Sequence, residues 1–175
     1  MDLTWHDLHH SDLTVADLHD VLALRNRVFV VEQECAYQDV DGLDLVRDTR
    51  HLLARGPVAA DGVVSAEGSA AGGGTSARSG AAGGPIVGYA RLLAPYDGKP
   101  ARIGRVIVTA EARGQRLGVR LMERALASCA EHWPGTGVDL SAQAHLVEFY
   151  ASLGFVVTGE VYDEDGIPHQ DMHLP

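Results

Sequence analysis

The 175-residue sequence predicts an α/β fold of the mixed α+β kind, a mostly antiparallel sheet with helices on both faces. Three observations carry that expectation. Apolar, β-branched runs recur along the chain and read as strands. Segments with helical spacing fall between them. Two strand-then-helix units stand in the second half, one over Ile103 to Leu121 (IGRVIVTAEARGQRLGVRL) and one over Val138 to Gly154 (VDLSAQAHLVEFYASLG). The element order is β-α-(α)-β-β-β-α-β-α-β-β.

Leu3 to His6 is the first strand. Thr14 is a good N-cap, and Asp17 three residues on makes a variant capping box. Leu18, Val21, Leu22, Val28 and Phe29 then share a helical face, which predicts a helix from Val15 to about Val31. Glu34 to Asp48 is polar and rich in aspartate, and reads as a short helix or an ordered loop. His51 to Ala54, Pro85 to Leu93 and Ile103 to Thr109 are the next strands. Leu117, Leu121, Met122, Ala125 and Leu126 mark a helix. Val138 to Ala144 alternates like a strand, His145 to Gly154 is a short helix with glycine at the C′ position, and Phe155-Val156-Val157 begins another strand.

Between the second and third strands the composition collapses. Seventeen of the twenty residues from Ser65 to Gly84 are Gly, Ala or Ser. Such a stretch buries too little apolar surface to offset its ordering entropy. The expectation is one domain over residues 1–175, carrying a flexible insertion at about 56–85 within a hairpin. Its cost is small, because loop-closure entropy grows only logarithmically with length.

Bulk numbers narrow the function. Hydrophobic residues are 46% and charged residues 22%, ordinary for a soluble domain. The net charge of −10 argues against nucleic acid as a partner and suits a cationic substrate. Cys35 and Cys129 form no C-x-x-C, which suits a reducing compartment. The N-terminus MDLTWHDLHH lacks a basic region followed by an apolar one, and no run approaches membrane-spanning length. A cytoplasmic protein with no membrane partner is expected. His6, His9 and His10 lack metal-ligand spacing, so no metal is expected. No serine nucleophile elbow is present, which disfavours a hydrolase.

The Ile103 to Leu121 unit carries the functional signal. The first amides of a helix have no internal partner and bear the positive end of its dipole. Gly114 and Gly118 allow a phosphate to approach the backbone there. Neither G-x-G-x-x-G nor the P-loop pattern is present. The loop instead resembles the acetyl-CoA loop of the GNAT acetyltransferase superfamily, roughly [QR]-x-x-G-x-[GA]. Arg113 fills the first position and Gly118 the last. Arg116 replaces the middle glycine, which calls for a right-handed backbone at that residue. A second likeness is Phe149-Tyr150-Ala151-Ser152-Leu153-Gly154-Phe155 against F-Y-x-x-x-G-F, with Gln143 seven residues before the tyrosine where asparagine is frequent. A third spans Leu24 to Arg50, AQAHL and EVYDEDGIPH, and is similar to the ElaA-like group, which also tends to lack the middle glycine.

The resemblance implies a GNAT fold in which two parallel strands, here Ile103 to Thr109 and Val138 to Gln143, splay to admit the cofactor. It implies acetyl-CoA as acyl donor, bound by Val106, Ile107, Val108, Arg113, Gly114, Gln115, Arg116, Leu117, Gly118, Val119, Gln143 and Phe149. Amides of Arg105 to Val108 would stabilise the oxyanion. Tyr150 would protonate the leaving thiolate. Candidate bases are Glu32, Glu34, Asp39, Asp41, His51, His145 and Glu148. Glu32, Asp39, Asp41 and His51 would face the acceptor, with Asp39, Asp41 and Asp44 attracting a cationic amine. A homodimer is compatible with the sequence. Two other readings stand beside the transferase: a non-catalytic CoA-binding sensor or interaction domain, and an acyl transferase making a signalling lactone.

Overall fold

The computed structural model describes residues 2–58 and 83–175. Eight strands form one sheet in the order β1-β2-β3-β4-β5-β8-β6, with β7 also paired to β8. The strands are β1 (Thr4–His9), β2 (Arg50–Arg55), β3 (Ile86–Leu93), β4 (Ala101–Val108), β5 (Val138–Gln143), β6 (Val156–Val157), β7 (Tyr162–Glu164) and β8 (Ile167–Leu174). The helices are α1 (Val15–Arg25), α2 (Leu117–His132) and α3 (Val147–Ala151). Every pairing is antiparallel except that of β4 with β5. The end of the chain contributes more strands than the sequence suggests: β6 is two residues long, and β7 and β8 form a hairpin about Asp165-Gly166.

Helix α1 opens on the expected capping box, Thr14 accepting from the Asp17 amide and Asp17 from the Thr14 amide. The predicted single helix to Val31 is an α-helix only to Arg25. It continues as a π-helical stretch, Asn26–Glu32. The aspartate-rich segment after it is a loop of turns and bends, not a helix. Most of the insertion, residues 59–82, lies outside the described residues.

The two faces of the sheet carry separate apolar clusters. Val21, Leu24 and Val28 cover Leu53, Tyr89 and Ile107 on one face. Leu121, Met122 and Ala125 of α2 cover Leu52, Leu92, Ile103 and Leu140 on the other. Ile103 and Ile107 are an even number of residues apart, so a regular strand would place them on one face. They lie on opposite faces because β4 bulges between them. Tyr89 pairs with Ile107, whereas Arg91 pairs with Gly104, so β4 holds one residue more than β3. Arg105 takes up the extra length in a left-handed conformation, φ 54°.

Candidate active site

Parallel pairing between β4 and β5 exists only at Ala101 with Val138 and Arg102 with Asp139. Beyond Arg102 the strands part, and a cleft of about 620 Å³ opens between them. Strand alternation fixes which backbone groups face it. The Thr109 amide donates to the Val87 carbonyl on the β3 side. The amide and carbonyl of Val108 therefore point the other way, to the edge left bare by the parting of β5. Arg113 confirms that direction, since its Nε donates to the Val108 carbonyl at 3.2 Å.

The loop after β4 brings a helix start to the same opening. Leu117 is buried against Ala54, Val87 and Ala112, which anchors the loop. The first main-chain bond of α2 runs from the Arg120 amide to the Arg116 carbonyl, leaving the amides of Leu117, Gly118 and Val119 without helical acceptors. Gly118 lines the cleft, and a Cβ there would meet Phe149 Cζ at 3.6 Å and Val108 Cγ2 at 3.9 Å. Arg116 corrects the sequence expectation. Its backbone is left-handed, φ 56° and ψ 20°, so the arginine adopts the conformation a glycine takes freely. Gly114 is left-handed as well, φ 77°. Gly114 is exposed, and so are the Gln115 and Arg116 side chains, leaving the backbone as what this turn offers.

Opposite the loop, Gln143 ends β5, and Phe149 and Tyr150 stand on α3, all three lining the cleft. Tyr150 is 6% exposed and its hydroxyl has no hydrogen-bond partner among the described residues. Burial alone pushes its phenol up to about 12, so it carries its proton at neutral pH.

A splayed parallel pair, a bulged strand, a helix start and a protonated tyrosine on the facing helix frame a cleft that suits an extended, phosphate-bearing ligand. Residues 72–175 match the family model described as an acetyltransferase (GNAT) domain. Protein ElaA of Escherichia coli is 44% identical over 97% of this chain and 95% of its own length. The chain belongs to the GNAT superfamily, in its ElaA-like branch. The crystal structure of E. coli ElaA superposes with a TM-score of 0.80, at 43% identity over 99% of this chain and 100% of that one. An acyl-CoA N-acyltransferase from Pseudomonas aeruginosa gives 0.82 at 44% identity, again over 99% and 100%. A CoA-dependent acyl-homoserine lactone synthase, BjaI, gives 0.62 at 19% identity over 99% of this chain and 84% of that one, a likeness of fold alone. The GNAT fold supports acyl transfer from an acyl-CoA.

Several residues assigned to the acceptor or to base catalysis sit elsewhere. Asp39 and Asp41 do not present free carboxylates. Asp39 accepts from Arg25 Nε at 2.8 Å, Arg105 Nε at 2.7 Å and the Tyr37 hydroxyl at 2.8 Å. Asp41 accepts from both terminal nitrogens of Arg91, at 2.8 and 2.6 Å. Asp44 is buried between Arg25 and Arg91. Three arginines neutralise three aspartates, so the acidic run is internally spent. Burial raises the Asp39 carboxyl, but hydrogen bonds from Arg25 and Tyr37 and the charges of Arg25 and Arg105 outweigh it and hold it below the usual range. The same balance, with Arg91 as the main donor, lowers Asp41.

His51 is wholly buried. Its Nε2 donates to the Asp44 carbonyl at 2.9 Å, so its Nδ1 accepts from Tyr89 at 2.8 Å. Burial keeps this imidazole neutral and no substrate reaches it. Glu32 is exposed at the end of the π-helical stretch, 3.8 Å from Arg27, and lies outside the cleft lining. Glu148 is exposed on α3 and also outside the lining, while its neighbour His145 is within it.

The cleft contains side chains the sequence reading left without a role. Arg105 lines it from the bulge, and Tyr37 and Cys35 from the loop. Glu164, Asp165 and His169 line it from the β7–β8 hairpin. The usable signal for His169 is topological. Strand β8 pairs with β5, and His169 stands opposite Gln143, at the end where β4 and β5 have parted. Cys35 and Cys129 are free. Among the described residues no group of three His, Cys, Asp or Glu is placed to hold a metal ion, and no helix is long and apolar enough to cross a membrane.

Proposed function

We propose that the chain transfers an acetyl group from acetyl-CoA to a primary amine of a small molecule or peptide, by direct attack with both bound at once. The observation that carries this reading is the unpartnered Tyr150 hydroxyl facing a bare strand edge across the cleft. The residues present fit the donor. The free amides of Leu117, Gly118 and Val119 suit a pyrophosphate, and Arg113 adds positive charge beside them. The Val108 amide and carbonyl suit the amide groups of a pantetheine arm laid along the strand. When bound, the donor supplies a thioester that an amine can open.

The oxyanion and the leaving sulfur then each have a donor. Of the main-chain amides over Arg105 to Val108, those at the β4 bulge that face the cleft donate to the oxygen on which negative charge develops. Tyr150 gives its proton to the departing sulfur. Phe149 and Val108 close in on Gly118, at the end of the cleft that suits the pyrophosphate. The net charge of −10 favours the approach of a cationic acceptor. The left-handed Arg116 gives the loop the turn a glycine would allow, which supports donor binding.

Amine-dependent thiol release from acetyl-CoA, measured over a panel of primary amines, tests the proposal. The expected result is thiol release matched by an acetylated amine in the mass spectrum. Binding of acetyl-CoA with no amine-dependent release would overturn it.

A further inference from the structure

We propose that His169 is the base that takes the proton from the acceptor amine; the inference rests on the transferase reading and deepens it. An amine attacks only as the neutral base, so a transferase acting near neutral pH gains from a proton acceptor in its acceptor site. Two imidazoles line the cleft, His145 and His169. They differ in how they are held.

His145 is exposed within the short turn before α3, and neither ring nitrogen has a protein partner among the described residues. His169 is held on three sides. Its Nδ1 lies 2.8 Å from the Ile167 carbonyl. A carbonyl only accepts, so Nδ1 carries the hydrogen and Nε2 carries the lone pair. The Tyr162 ring stacks on it at 6.2 Å between centroids and 27° between planes. Glu164 Oε2 stands 3.8 Å from Nδ1. Nε2 has no partner among the described residues, and the ring lines the cleft. His51 shows what a structural histidine looks like in this chain, with both nitrogens committed.

The protons balance. A protonated amine must lose two. His169 Nε2 takes the first and passes it to solvent, leaving the nitrogen pair free to form the N–C bond. Once that bond exists, Nε2 takes the second from the same nitrogen. The C–S bond breaks with its electron pair on sulfur, and Tyr150 protonates that sulfur. The second proton returns through solvent to the Tyr150 oxygen. Amide, thiol and one released proton are the products.

The test starts with the parent protein and acetyl-CoA, using the amine that gives the fastest thiol release. In H169A, kcat/KM should fall about 10²–10⁴-fold, the range for a general base. Acetyl-CoA affinity by calorimetry and melting temperature should stay at parental values. Added imidazole should restore turnover of H169A and leave the parent unaffected, because it occupies the emptied space and supplies the missing lone pair. H169Q keeps the size and hydrogen-bonding capacity but not the basicity, and should be as slow as H169A. Parental turnover in either variant, or a loss that imidazole does not repair, would overturn the assignment and leave the transferase reading standing. A parent protein that releases no thiol with any amine would overturn that reading, and the base with it.

Discussion

Two polar regions meet at β4, and they are built by opposite rules. In the first, Arg25, Arg91 and Arg105 meet Asp39, Asp41 and Asp44, and nearly every charge finds a buried or half-buried partner. The exceptions are Asp44 Oδ2 and Arg91 Nε, buried without a partner among the described residues. In the second, the cleft, the Tyr150 hydroxyl, the His169 Nε2 and the Val108 amide are left unmatched among the described residues. Arg105 belongs to both, lining the cleft while its side chain is committed to Asp39 and Asp41. Satisfied groups specify structure, whereas unsatisfied groups at an opening are available to a substrate. Substitutions should therefore divide by region, with stability lost in the first and turnover in the second.

The largest expected effect sharpens the cleft side. Tyr150→Phe keeps the ring packed against Phe149 and Phe155 and removes only the hydroxyl. Turnover should fall by about 10²–10⁴-fold, with CoA affinity and melting temperature nearly unchanged. A tyrosine of the structural kind gives the reverse: a lower melting temperature and near-normal turnover in the folded fraction.

The network side should respond in the opposite way. Arg25→Met takes a buried guanidinium from Asp39 and Asp44, leaving each with one other arginine, and breaking such a buried pair costs up to about 3–5 kcal/mol. Chemical denaturation should show that loss. Folded protein that survives should retain kcat for the amine within a fewfold. A stable Arg25→Met protein with lost turnover would erase the distinction between the regions.

Acid reaches the same network. Asp39 and Asp41 are held below their ordinary range in the folded state. The stability they supply is complete above the unfolded carboxylate value, about 4, and is lost as pH falls below it through the folded values. A melting temperature that stays flat from pH 5 down to about 2 would argue that these pairs contribute nothing.

Fold and site were legible in the sequence to different depths. Period and turn chemistry placed the capping box at Thr14, the strand over Val138 to Gln143 and the helix from Leu117. They could not place the β4 bulge, because Gly104-Arg105-Val106 reads as an unbroken strand. The bulge follows from pairing with β3, a long-range choice that carries no local mark. The left-handed Arg116 was hidden for a related reason, since the buried Leu117 and the start of α2 impose a backbone the residue type disfavours. Asp39 and Glu164 look alike as letters in acidic segments. One is tied up by two arginines, Arg25 fourteen residues before it and Arg105 sixty-six residues after it, and the other lines the cleft. Only the register of the sheet separates them.

A smaller effect tests the helix start. Gly118→Asp has room for its Cβ, with contacts of 3.6 and 3.9 Å, and a carboxylate in the first turn favours the helix. It also opposes a bound pyrophosphate. The variant should melt at or above the parental temperature yet bind CoA at least tenfold more weakly, about 1.4 kcal/mol. Unchanged affinity would remove the loop from the binding site.

The smallest effect concerns the Gly/Ala/Ser-rich stretch, and the structure moves its edge. The sequence reading ran the insertion to about residue 85, yet Arg55 Nη1 donates to the Gly84 carbonyl at 2.9 Å. A Cβ at Gly84 would stand 2.2 Å from the Gly56 carbonyl oxygen, so the backbones of the two glycines press together there. Arg55 is itself buried, bound to Asp17 and Asp20 of α1. Gly84 is thus part of the join between β2, β3 and α1. Deleting residues 65–82 should leave melting temperature and CoA affinity nearly as they are, since shortening a long loop changes closure entropy by only about 0.6 kcal/mol per halving. Extending the deletion through Gly84 withdraws an acceptor from a buried guanidinium and should cost about 1–3 kcal/mol. Equal melting temperatures for the two deletions would show that the Arg55 contact is dispensable. A large loss from the shorter one would show that residues 65–82 hold the fold in a way their composition does not suggest.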